Sequence, residues 1–99
     1  MPFTIGFTDD AERHLDKLRS RDRRVVVDEI EAQLVHEPTV ITRNRKPLKA
    51  NSFAQWELRV QKFRVLYNVD EEATLVEIVA IGEKVRSVLL IEGKEFKLR

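Results

Sequence analysis

Apolar and polar residues alternate with a period of two through most of segment 56–81, which predicts three β-strands. The first two strands share one apolar face, formed by Trp56, Leu58, Val60, Phe63, Val65, Tyr67 and Val69. Arg59 and Arg64 point to the opposite face. The third run, 74–81, is apolar on both faces, which predicts a central strand covered above and below. The segment therefore predicts an antiparallel meander with one face that needs covering.

Two amphipathic helices are predicted before this meander. A short apolar alternation at 3–7 predicts an opening strand, and Thr8 or Asp9 then caps a first helix. A second helix starts near Ser20 or Asp22 and ends before Pro38. The apolar stripes of the two helices are suited to cover the sheet. The sequence thus predicts an α+β fold of order β-α-α-β-β-β, with a two-helix hairpin packed on one face of an antiparallel sheet.

Two segments are less defined by their pattern. Residues 39–52 have little apolar content and predict a long basic loop, and loops of this length are often functional. The apolar run 88–91 fits a short helix or an edge strand equally well. If Glu92 and Gly93 form a turn, Phe96 and Leu98 pack back on the core.

Length and composition restrict the class of protein. Ninety-nine residues with 42% hydrophobic content indicate a single globular domain over 1–99. The absence of cysteine excludes disulfides, thiol nucleophiles and cysteine-based metal sites. No apolar run approaches the roughly 18 residues of a membrane span, and no signal peptide is visible. We therefore expect a cytoplasmic protein that is not associated with a membrane.

Charge is divided unevenly along the chain, although the net charge is only +1. Segment 8–37 carries nine acidic residues against six basic ones, whereas segment 43–64 carries seven basic residues and Glu57 alone. Such asymmetry suggests a site for a polyanion on one side of the domain. The alternative is a basic loop that only keeps the protein soluble.

Other kinds of site find little support. The two histidines have no partner at metal-ligand spacing, and the three glycines are isolated, so we expect no metal, phosphate loop or cofactor. Arginine and lysine remain, with Arg59 and Arg64 on the outward sheet face and Lys84 and Arg86 after the central strand. Clustered cations bind the phosphates of RNA, and they also stabilise the charge of a phosphoryl transition state. The alternative is that the arginines pair with acidic residues such as Glu57 across strands.

Three short motifs resemble the RelE/ParE superfamily of bacterial type II toxins. They are Trp56-Glu57-Leu58-Arg59-Val60, Phe63-Arg64-Val65-Leu66-Tyr67, and Val79-Ala80-Ile81-Gly82 followed by basic residues. Their order after an opening strand and two helices is similar to that family over most of the chain. The resemblance implies the toxin of a toxin–antitoxin pair, with a cognate antitoxin as partner. It also implies ribosome-dependent cleavage of mRNA by an endoribonuclease without a metal.

The resemblance assigns charge stabilisation during catalysis to Arg59, Arg64 and Lys84. The proposed RNA-binding set is Arg43, Arg45, Lys46, Lys49, Lys62 and Arg86. Two positions depart from the family pattern: Glu57 stands where well-known members carry lysine, and Leu90 falls near the position of a proton-transferring tyrosine. The usual C-terminal general base of the family is therefore not identified in this sequence. Two alternatives stay open, a non-enzymatic ParE-like inhibitor of gyrase and a non-toxic protein-binding module.

Overall fold

The computed structural model describes residues 2–97 of the chain, which form two helices and seven strands. The elements in chain order are β1 Thr4–Phe7, α1 Asp9–Asp16, α2 Ser20–Leu34, β2 Arg45–Pro47, β3 Trp56–Val60, β4 Phe63–Asp70, β5 Leu75–Val85, β6 Val88–Ile91 and β7 Lys94–Glu95. Neither helix in this part of the chain is long and apolar enough to cross a membrane.

The strands form one sheet with the order β2-β3-β4-β5-β6-β7, in which every neighbouring pair is antiparallel. β1 joins the same sheet by pairing in parallel with the first part of β5. β6 pairs with the last part of β5 on the same edge. The long central strand therefore connects the N-terminal strand, the meander and the C-terminal hairpin.

Both helices pack on one face of the sheet and cover the larger hydrophobic core. The hydroxyl of Thr8 accepts a hydrogen bond from the Ala11 N–H at 3.1 Å, which caps the first turn of α1. The buried apolar members of this core are Ala11, Val26, Ile30, Leu34, Leu58, Val60, Phe63, Val65, Tyr67, Val76, Ile78 and Ile81. Each fully buried Val, Leu, Ile or Phe stabilises the fold by about 1.5–3 kcal/mol. This core is therefore the main source of stability.

The other face of the sheet, called here the open face, carries a smaller apolar cluster. It consists of Ala54, Leu66 and Ala80, with Leu48, Phe53, Val79, Leu89, Ile91 and Phe96 packed against them. The Phe53 and Phe96 ring centroids are 4.8 Å apart. The C-terminal hairpin β6–β7 thus closes one part of the open face, and charged residues occupy another part.

Gly82 lies on β5 close against the backbone and side chains of β6. A Cβ atom at this position would be 2.6 Å from the carbonyl oxygen of Leu90 and 2.9 Å from side-chain carbons of Leu89 and Ile91. Only glycine leaves room for this approach. The predicted end of the central strand at this glycine is therefore wrong: β5 continues through Gly82 to Val85, so that Lys84 lies within the strand, and the glycine leaves room for β6 beside it.

The predicted α+β order and the helix pair on one sheet face are confirmed. The structure has three short strands in addition to the predicted order. β2 lies within the segment predicted to be a loop, and β6 and β7 form the C-terminal hairpin. The run 88–91 is a strand, and Glu92 with Gly93 forms the turn after it. Phe96 packs back on the sheet, whereas Leu98 lies outside the described residues.

One register shift changes the predicted faces of β5. Leu66 faces Ala80 while Tyr67 faces Ile78, so Val79 has no partner on β4. Strict alternation would place Ile78 and Ile81 on opposite faces, yet both lie in the helix-side core. The alternation predicted through Ile81 is therefore wrong beyond this β-bulge.

Candidate functional site

A cavity of about 130 Å³ on the open face is lined mostly by cations. Its lining residues are Arg43, Asn44, Lys46, Glu57, Arg59, Arg64 and Lys84. They come from the loop before β2 and from β2, β3, β4 and β5. The fold thus brings the three residues predicted for catalysis together with Arg43 and Lys46 of the predicted RNA-binding set. We call this site the cationic cavity.

Arg64 is held firmly in the cavity wall. One of its terminal nitrogens, Nη1, donates to the carbonyl oxygens of Gln61 and Phe63, each at 2.8 Å. Its Nε lies 3.5 Å from Oε1 of Glu57, and only 12% of the side chain is exposed. The predicted alternative, pairing with Glu57 across strands, is therefore present in the structure. The other terminal nitrogen, Nη2, has no hydrogen bond within residues 2–97, so Arg64 keeps a donor for a ligand.

Glu57 is the single acidic residue of the cavity lining. Its side chain is 10% exposed, and Oε1 lies 3.5 Å from Nε of Arg64 and 4.0 Å from Nζ of Lys46. Lys46 is the cross-strand partner of Glu57 in the β2–β3 ladder. The carboxylate therefore sits between cations from two neighbouring strands.

Three cations of the cavity are uncommitted. Arg43, Arg59 and Lys84 form no ion pair among the residues that the structure describes. Arg43 and Arg59 are exposed and Lys84 is half-buried. Side chains of this kind can turn toward an anion without breaking an internal contact. The cavity therefore carries positive charge that the protein itself does not neutralise.

Arg45 lies apart from the other members of the predicted RNA-binding set. Its side chain is buried, and its guanidinium donates to the carbonyl oxygens of Val40 and Gln33. These bonds fasten β2 to the last turn of α2 and to the segment that follows it. We therefore assign Arg45 a structural role and leave it out of the proposed RNA-binding residues.

Lys62, Lys49 and Arg86 do not line the cationic cavity. Lys62 Nζ lies 3.6 Å from Oε2 of Glu83 and 5.5 Å from the centre of the Phe63 ring, on the helix side of the sheet. Lys49 is exposed in the loop after β2, and Arg86 is exposed in the turn between β5 and β6. Their role in RNA binding stays a prediction.

Leu90, at the position expected for a proton-transferring tyrosine, faces away from the cationic cavity. Leu90 pairs with Glu83 and lines a different cavity between the sheet and α1. Tyr67 is fully buried, and its hydroxyl donates to the Pro38 carbonyl oxygen at 2.7 Å. Burial raises the pKa of this phenol far above its ordinary value. Neither position supplies a base to the cationic cavity.

A second polar site, which sequence patterns gave no reason to expect, lies on the helix side. Glu92 in the β6–β7 turn accepts from Nε and Nη2 of Arg13 at 3.1 and 3.0 Å and from Nζ of Lys17 at 2.7 Å. Hydrogen bonds from Arg13 and then Lys17 lower the pKa of Glu92 to about 2. These contacts fasten the C-terminal hairpin to α1.

His14 joins this second site from a buried position. Its Nδ1 accepts from the Ile81 N–H at 3.2 Å, and its Nε2 lies 3.4 Å from Oε1 of Glu92. Burial lowers the pKa of His14 below 6.5 and outweighs the nearby carboxylate. A cavity of about 180 Å³ borders His14, Lys17, Glu92 and Leu90. Helical spacing placed His14 near the apolar face of α1, but its contact with β5 depends on the tertiary fold.

Comparison with known proteins places this fold in a family. Residues 5–87 match the model of the ParE toxin of the parDE type II toxin–antitoxin system. The toxin RelG of Mycobacterium tuberculosis is 34% identical over 84 residues, which are 85% of this chain and 93% of RelG. The chain belongs to the RelE/ParE family of type II toxins.

Solved structures of RelE proteins have the same fold. The RelBE2 toxin–antitoxin complex of M. tuberculosis contains a chain that is 34% identical, with a TM-score of 0.71 over 84% of this toxin and 99% of that chain. A variant of E. coli RelE in the free state gives a TM-score of 0.65 at 23% identity, covering 88% of each chain. The archaeal RelE from Pyrococcus horikoshii gives 0.63 at 17% identity, over 87% of this toxin and 99% of that chain.

Proposed function

We propose that this toxin inhibits translation by cleaving ribosome-bound mRNA at the cationic cavity. The observation that carries the proposal is the convergence of five cations from distant segments around one cavity, three of them without an ion pair among residues 2–97. RNA supplies a phosphate diester that such a cavity attracts. Acting on translating ribosomes, the toxin works in the cytoplasm.

The cations have two roles in this proposal. Arg59 and Lys84 bind the oxygens of the scissile phosphate, and Arg64, fixed by its two carbonyl partners, presents Nη2 to the same group. Attack by the ribose 2′-hydroxyl places additional negative charge on the phosphate oxygens. Donors that are already oriented stabilise this charge without reorganising during the reaction. Arg43 and Lys46 contact the neighbouring phosphates.

We also propose a cognate antitoxin as the partner of this toxin. The 34% identical chain of M. tuberculosis was solved in a toxin–antitoxin complex, and the shared fold extends over nearly all of that chain. The test is co-expression of the toxin with the product of a neighbouring small gene. Restored growth and a stable complex on size-exclusion chromatography are the expected result.

A second candidate function is inhibition of gyrase without catalysis. It is favoured by the match to the ParE model. It is also favoured by Leu90, which occupies the position expected for a tyrosine and lines a different cavity. In that case the open face binds a protein and the cations have no chemical role.

Pulse labelling after brief induction distinguishes the two functions. Incorporation of labelled methionine should fall within minutes, before incorporation of labelled thymidine. Arg59→Gln at equal soluble expression is the control and should leave both signals unchanged. A fall in thymidine incorporation that precedes any loss of methionine incorporation would support the gyrase function instead.

A further inference from the structure

The Glu57 carboxylate has a setting that an ion-pair role alone does not explain. It is nine-tenths buried, yet it accepts no hydrogen bond from residues 2–97, and its two close cations are 3.5 and 4.0 Å away. Every fully buried side-chain oxygen or nitrogen in this part of the chain has a hydrogen-bond partner. The Glu57 oxygens have none, so they are not fully enclosed and are accessible from the cavity that Glu57 lines. A carboxylate with free lone pairs in the lining of a cationic cavity is suited to a ligand that donates a hydrogen bond there.

The chemistry of the cavity specifies this ligand. The cations attract a phosphate, whereas Glu57 repels one and attracts a hydroxyl group. RNA carries both groups on adjacent atoms, because the 2′-hydroxyl neighbours the 3′-phosphate on each ribose. DNA lacks the hydroxyl. The cavity therefore offers matching partners to a ribonucleotide and not to a deoxyribonucleotide.

We propose that Glu57 is the general base that accepts the proton of the attacking ribose 2′-hydroxyl, an assignment that rests on the proposed RNA cleavage. The 2′-oxygen forms a bond to phosphorus while the bond from phosphorus to the 5′-oxygen breaks. The 2′-hydroxyl proton passes to Glu57, and the departing 5′-oxygen takes a proton from Lys84, which binds the scissile phosphate. The products are a 2′,3′-cyclic phosphate and a 5′-hydroxyl end, so no external reactant is consumed.

The charged groups around Glu57 support this assignment. Lys46 faces it from β2 and Arg64 from β4, while Arg43, Arg59 and Lys84 line the same cavity. A carboxylate in this setting receives a proton close to the groups that hold the phosphate. General bases placed in this way contribute about 10²- to 10⁴-fold to rate.

The test compares wild type with Glu57→Gln in purified ribosome complexes with a defined mRNA. Glutamine keeps the size of the side chain but cannot act as a base. We expect cleavage to slow by about 100-fold or more, and the acidic limb of the wild-type pH–rate profile to disappear. Glu83→Gln is the matched control, because Glu83 is a carboxylate on β5 that pairs with Lys62 on the other face. It should cleave at the wild-type rate.

Binding of an uncleavable message separates a base from a residue that only positions Arg64. An mRNA with 2′-deoxyribose at the cleavage site offers Glu57 no proton. Glu57→Gln should therefore bind it with wild-type affinity or more tightly, since one negative charge is removed. Weaker binding would show a positioning role and overturn the proposal.

The two proposals fail in different ways. If wild type leaves the message intact, RNA cleavage fails and the base assignment fails with it. If wild type cleaves and Glu57→Gln cleaves equally fast with the same pH profile, only the base assignment is overturned. Should Glu57→Gln lower the melting temperature, Glu57→Asp provides a second variant that keeps the carboxylate but retracts it by one methylene. It should cleave more slowly than wild type while retaining the acidic limb, and a wild-type rate would contradict the proposal.

Discussion

Arg59 and Arg64 stand directly opposite each other in the β3–β4 ladder. Like charges at opposed positions destabilise an antiparallel pair by a few tenths of a kcal/mol up to about 1 kcal/mol. Glu57 offsets the charge of Arg64, but Arg59 has no ion pair among residues 2–97. The placement therefore favours an anionic ligand over stability of the free protein.

Arg59→Gln should separate stability from function. Removing one of two opposed charges should leave the free energy of unfolding unchanged or raise it by about 0.5 kcal/mol. Toxicity should be lost, because an uncommitted phosphate donor is gone. Denaturant unfolding and growth after induction measure the two effects. Arg21→Gln, at an exposed position on α2, is the matched control and should remain toxic. A clear loss of stability in Arg59→Gln would mean that Arg59 is structural.

Arg64→Ala should abolish toxicity and also weaken the fold. The side chain gives two hydrogen bonds to the β3–β4 hairpin and one ion pair, and hydrogen bonds from charged groups contribute about 1.5–3 kcal/mol. We expect a loss of about 2 kcal/mol in the free energy of unfolding, with a folded protein by circular dichroism. Arg64→Lys keeps the charge without the planar fork, and it should retain only part of the activity. Full toxicity of Arg64→Ala at equal soluble expression would exclude this residue from the site.

Gly82→Ala should disrupt the C-terminal hairpin. The added Cβ would stand 2.6 Å from a backbone oxygen of β6, which cannot move without breaking the β5–β6 ladder. Overpacking of this kind costs about 1–3 kcal/mol. Gly6→Ala is the comparison, since its Cβ would meet only Leu75 at an ordinary 3.6 Å. Thermal unfolding should show a large drop for Gly82→Ala and little change for Gly6→Ala. Equal melting temperatures would contradict the close approach of β6.

The stability of the fold should decrease as the pH is lowered below about 6.5, because protonation of His14 is disfavoured in the folded state. Burial lowers the pKa of this residue in the folded state, so the unfolded chain binds a proton that the native state resists. The free energy of unfolding is therefore highest above pH 6.5 and decreases as the pH falls toward the lowered pKa. His14→Asn should reduce this dependence, and His36→Asn, at an exposed position, should retain it. The check is urea unfolding at several pH values from 7.5 to about 5. An unchanged pH dependence in His14→Asn would refute the assignment.

Periodicity predicted the sheet faces well where the strands are regular. Alternation placed Arg59 and Arg64 on the face opposite the helices, and the structure confirms this side for both. It failed at Val79, because a bulge depends on the pairing of two strands and leaves no mark in one strand alone.

The composition of the cavity was harder to predict. Arg45 and Lys46 are neighbours in sequence, yet Arg45 is buried and donates to Gln33 while Lys46 faces Glu57. Successive side chains of β2 point to opposite faces of the sheet, which separates these two neighbours. Because β2 has only three residues and lies in a basic segment, the sequence pattern does not reveal its pairing with β3. The approach of Arg43 and Lys84 to the same cavity likewise depends on tertiary structure.

Incubation of purified toxin with ribosomes that carry a defined mRNA, followed by mapping of new 5′ ends, tests RNA cleavage most directly. Cleavage by the 2′-hydroxyl should produce fragments with 5′-hydroxyl ends inside the translated region with wild type, and none with Arg59→Gln. An intact message, together with loss of DNA supercoiling when the same preparation is added to gyrase, would contradict RNA cleavage at the cationic cavity.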